Sequence, residues 1–91
     1  MVPKDKVRKQ ILELLKSRYG DAERDLYIIL IDPVVFNPFV DLMHQRLNEF
    51  DIMAGLKHMQ LSWRECVAFL WQGISIFEKQ IKAERTKEFK D

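Results

Sequence analysis

The sequence predicts an all-α fold: three main helices, the last of them the long C-terminal one, plus a possible short fourth. Apolar residues recur at steps of three and four in three separate stretches, the period of a packed helix. With only three Gly and three Pro in 91 residues, there is also little material for hairpin turns. Residues 1–82 read as one helical domain, with a charged, frayed tail over 83–91. At this length one core is feasible but marginal. A hydrophobic content of 47% beside 32% charged residues suits a globular chain and argues against disorder.

The first helix spans 4–19. Val7, Ile11 and Leu14 make one apolar row with Leu15 beside it, and Gly20 is placed as the residue that ends the helix. Its first turn carries Lys4, Lys6, Arg8 and Lys9, the wrong sign for the positive end of a helix dipole. These four cations are therefore a candidate contact surface. Residues 21–31 are ambiguous. Asp21 can cap a helix in which Ala22, Leu26, Ile29 and Leu30 share a face. Tyr27 to Ile31 can equally form a strand on propensity, paired with another chain because this one offers no second strand.

Asp32-Pro33 and Asn37-Pro38 each combine an N-cap residue with proline at the first helical position. Pro38 disfavours helical backbone at Asn37, so the first step predicts a short turn through Phe36 and the second the real helix. On that helix Phe39, Met43, Leu47, Phe50 and Ala54 share a face, and Asp51 or Gly55 is where it bends or ends. Residues 57–60 connect to the last helix, over 62–82. Ser62 and Glu65 form a capping box, with Leu61 and Cys66 as a hydrophobic staple.

That last helix is too apolar for its size. Trp63, Val67, Leu70, Ile74, Phe77 and Ile81 form one row, and Cys66, Phe69, Gly73 and Ile76 a second. Together they cover about half the circumference at about 100° per residue. Two short neighbours cannot cover so wide an arc, so part of it is expected to face a partner. Trp63, Phe69, Leu70, Trp71, Ile76 and Phe77 are the candidate interface residues. Trp71, at the edge of the arc, has an interface reading and a core reading of equal weight. Gly73 either admits a close helix or is simply tolerated.

Charge is uneven along the chain. Residues 1–20 carry +4, residues 21–56 carry −5 and residues 57–91 carry +2, for a net charge of +1. A basic end and an acidic middle suit contacts within or between copies rather than a broad cationic surface. His44 and His58 lack metal-ligand spacing, and Asp41 with His44 one turn on reads as a surface pair. Neither a glycine-rich phosphate loop nor a nucleophile–base arrangement is present, so no cofactor, metal, small-molecule substrate or enzymatic activity is expected. Cys66 is the single cysteine and reads as a buried thiol in a cytoplasmic protein, with no signal peptide or spanning helix expected. The function expected is assembly: self-association into a homo-oligomer, or docking of a protein partner through 63–77. The alternative is a nucleic-acid-binding regulator that uses the basic first helix.

Overall fold

A computed structural model describes the backbone of residues 3–56 and 63–89, and the side chains of 3–49 and 64–85. The chain is all-α over these residues. α1 runs Lys4–Tyr19, α2 Arg24–Ile31, α3 Pro33–Leu56 and α4 Trp63–Phe89. The capping box at Ser62, the staple residue Leu61 and the connection over 57–60 lie outside the described residues.

α1 buries Val7, Ile11, Leu14, Leu15 and Tyr19, the apolar stripe that its spacing predicts plus the tyrosine one turn beyond Leu15. Its cationic first turn is offset by α3: Lys4 pairs with Asp41, and Arg8 Nη1 donates to Asn37 Oδ1 at 2.9 Å. Gly20 ends the helix differently from the expected left-handed cap. Its φ of −50° is right-handed, and its N–H bonds the Lys16 carbonyl. A β-carbon there would lie 2.5 Å from the Lys16 oxygen, so the glycine serves close backbone approach.

Residues 24–31 form α2, which removes the strand alternative for Tyr27 to Ile31. The helix does not start from an Asp21 cap. Glu23 sits at the N-cap and its N–H bonds the Tyr19 carbonyl at 2.9 Å, tying the turn directly to the end of α1. Leu26 and Leu30 enter the core, whereas Ala22 stays exposed.

The expected break at Pro38 is absent. Asp32 starts one uninterrupted helix: its carboxylate accepts the Val34 N–H at 3.0 Å and Pro33 fills the first position. α2 and α3 meet there at 69°. Pro38 cannot donate to the Val34 carbonyl, but Val34 is 82% exposed, so water can serve that oxygen. Phe36, Phe39 and Val40, on either side of the proline, are all buried. Their packing outweighs the local preference of Asn37. Asp51 does not end the helix either, which is described as far as Leu56, one residue beyond Gly55.

α3 and α4 are antiparallel. The Phe39 and Phe77 rings stack 4.3 Å apart, and one turn further along α3 and one turn back along α4, Met43 meets Gly73. A β-carbon at Gly73 would lie 2.5 Å from Met43 Sδ, so the glycine makes room for the end of the Met43 side chain of α3. α1 packs on both members of this hairpin, and α2 lies against α1 and α3. α4 continues beyond residue 82 to Phe89, so the charged 83–89 stretch has helical backbone.

Candidate interaction surface

α4 has a core face and two different flanks. Cys66, Leu70 and Ile74 form the core face, each at most 4% exposed. Leu70 therefore belongs to the chain's own interior and drops out of the candidate interface. Phe77 is also engaged within the chain through its stack on Phe39. The Trp63 side chain lies outside the described residues.

The first flank carries Trp71, Ser75, Glu78 and Lys82 and faces the end of α1. Tyr19, 2% exposed, donates its hydroxyl to Glu78 Oε2 in a short hydrogen bond. Arg18 Nη2 lies 3.4 Å from the same oxygen, and Lys82 Nζ donates to Oε1 at 2.8 Å. Arg18 also donates to Ser75 Oγ at 3.1 Å and places its guanidinium 5.4 Å from the centre of the Trp71 ring. Trp71 is thus half-buried under a cation from its own chain. The hydrogen bonds from Lys82 and then Tyr19 hold the Glu78 carboxyl below its ordinary value, against the opposing effect of burial. Burial, followed by the bond to Glu78, pushes the Tyr19 phenol well above its ordinary value. A proton-transfer role at neutral pH would call for the opposite direction. The cluster acts as a clamp: it satisfies a buried hydroxyl and fixes α1 on α4.

The second flank carries Phe69, Ile76, Gln80 and Ala83, which fall within about 60° of one another at about 100° per residue. Ile76 is 59% exposed and Phe69 half-buried. The Gly73–Met43 contact puts this flank beside α3, on the side away from α1. There α3 contributes Val35, Pro38 and Leu42, and Leu42 is 46% exposed. Leu42 was legible only as an apolar residue off the Phe39–Met43–Leu47 stripe. Ile28 and Val34, near the α2–α3 bend, are further exposed apolar residues absent from the sequence-based candidates.

The basic first turn is partly spent within the chain, since Lys4 and Arg8 hold Asp41 and Asn37 of α3; Lys6 and Lys9 are exposed. His44 Nε2 lies 3.1 Å from the Asn48 amide nitrogen, and its expected neighbour Asp41 turns instead to Lys4. Among the described residues no three His, Cys, Asp or Glu side chains converge as metal ligands. No single helix among them is long and apolar enough to cross a membrane. Comparison with protein-family models, with curated proteins and with solved structures finds no match to this chain.

Proposed function

We propose that this is a non-enzymatic assembly protein that docks a protein partner, or a second copy of itself, through the outward flank of α4. The observation that carries the reading is Ile76. It is a large apolar side chain left 59% exposed on a helix whose opposite flank is sealed by a specific polar clamp. Phe69 on the same flank and Leu42 across the groove extend the apolar surface. Of the six residues first suggested, Phe69 and Ile76 support docking best. Trp71 contributes only if Arg18 moves aside. Cys66, the single cysteine, is buried, which fits a reducing compartment such as the cytoplasm.

The nucleic-acid reading has less support. Two of the four cations on which it rests already contact α3, and phosphate binding would have to compete with those contacts.

A photo-crosslinking amino acid at position 76, in cells that make the protein, tests the docking reading. Adducts should form at 76 and be sparse at Glu13, on exposed α1. Equal labelling at both positions, or none at 76, removes α4 as the docking helix.

A further inference from the structure

The α1 side of α4 is cationic, and Trp71 lies in the middle of it. At about 100° per residue, Arg64, Trp71, Ser75, Glu78, Lys79 and Lys82 fall within an arc of about 100°. Glu78 is the single acid of that arc among the described residues, and Arg64 and Lys79 are exposed. Arg18 of α1 adds a further cation, and the row of α1 that leads to it, Val7, Gln10 and Leu14, carries no acid. Glu23 of the α1–α2 turn touches the edge of the surface, 3.9 Å from Lys82.

Within the clamp Arg18 is the replaceable member. The Tyr19 hydroxyl holds Glu78 Oε2 and the Lys82 ammonium holds Oε1, so both carboxylate oxygens keep a donor when Arg18 leaves. Arg18 reaches Oε2 only at 3.4 Å, and its side chain is 37% exposed against 14% for Glu78. Its departure uncovers the Trp71 ring, whose centre lies 5.4 Å from the guanidinium.

We propose that this flank binds an acidic peptide segment of a partner protein. Arg18 is the latch: it turns from Glu78 to an incoming carboxylate and uncovers Trp71 for an apolar side chain beside that carboxylate. A guanidinium stays charged and matches carboxylates with paired donors, so one carboxylate can replace another without leaving it unpaired. Arg64 and Lys79, on either side of Trp71 along the helix, supply complementary charge to the rest of the segment. Tryptophan is the side chain best suited to anchor it. A nucleic-acid strand is the poorer fit. Strand binding stacks successive bases on several aromatic rings, and this arc offers one.

The test is titration of the full chain with a short fluorescent peptide that carries acidic residues on both sides of one leucine. The peptide should bind at about 50 mM salt and be largely released by about 500 mM. Its counterpart with amides in place of the acids should not bind. Arg18→Met and Lys79→Glu should each weaken binding by about tenfold. Ile76→Arg, on the other flank of α4, should leave it unchanged, so this surface and the one that Ile76 marks stand or fall separately. Trp63→Phe leaves Trp71 as the single tryptophan, and its fluorescence should then change as the peptide binds. No binding of the acidic peptide, or equal binding of the amide one, overturns the proposal. Binding that Ile76→Arg abolishes and Lys79→Glu spares overturns the choice of flank. Binding without any change at Trp71 overturns the latch. A single-stranded oligonucleotide that binds more tightly, and is lost with the same substitutions, overturns the choice of an acidic peptide.

Discussion

The two flanks of α4 lie on one helix, a few residues apart, and have opposite characters. On the α1 side, Glu78 gathers Tyr19, Arg18 and Lys82, and Arg18 covers Trp71. On the α3 side, Ile76 and Leu42 stay in solvent. The difference shows that exposed apolar area on a helix cannot be read from the width of its stripe alone. A neighbour that brings a long cation can cover an aromatic residue at the edge of the core, as Arg18 does. A neighbour that seats only its core row on the helix, as α3 does with Phe39 and Met43 at Phe77 and Gly73, leaves the residues beside that row uncovered.

Truncation separates the core face from the open flank most sharply. Leu70→Ala should cost about 2–5 kcal/mol of folding stability. Ile76→Ala, measured at low protein concentration, should stay within about 0.5 kcal/mol. Urea unfolding of the two variants checks this, and equal losses would erase the distinction between core and flank.

Breaking the clamp has the next largest effect. Glu78→Leu leaves the buried Tyr19 hydroxyl without its acceptor and should cost about 1–3 kcal/mol. Adding Tyr19→Phe removes the stranded group, so the double variant should lose less than the sum of the two single changes. Strict additivity in urea unfolding would show that the two side chains are not coupled.

The same pair should shape stability against pH. The Glu78 carboxyl is depressed in the fold, so its contribution is present above the ordinary carboxylate value of about 4.3 and is lost as pH falls further. The Tyr19 phenol is raised in the fold, and so is the Lys82 ammonium through its bond to Glu78. Their contribution is present below about 10 and is lost as pH rises beyond it. Midpoints of urea unfolding across pH should therefore fall at both extremes. Glu78→Leu should flatten the acid limb, and Tyr19→Phe should flatten part of the alkaline one.

Arg18→Met gives the smallest change among the clamp variants. Its ion pair is partly exposed, so the loss should be about 1 kcal/mol or less despite its contacts with Glu78, Ser75, Tyr19 and Trp71. Trp71 should respond more than stability does, becoming more accessible to a soluble fluorescence quencher. Unchanged quenching would mean that the guanidinium does not shield the ring.

Local chemistry was enough to specify α1, the Asp32 cap ahead of Pro33, the core row of α4 and the all-α class, though not that the turn begun at Pro33 is already α3. Each depends on residues within a turn or two of one another, through side-chain periodicity or an Asx cap. The unbroken passage through Pro38 was not legible, because a local preference at Asn37 yielded to the burial of Phe36, Phe39 and Val40 against other helices. Nor was the Tyr19–Glu78 clamp, whose partners stand 59 residues apart and carry no pattern linking them. The sequence showed that α4 is more apolar than a lone amphipathic helix. Which residues the excess left in solvent was decided by the tertiary structure, because exposure depends on where neighbouring helices pack. Arg18 happened to reach Trp71, and Gly73 of α4 made room for the Met43 and Phe39 side chains of α3 while Leu42 and Ile76 remained outside the contact.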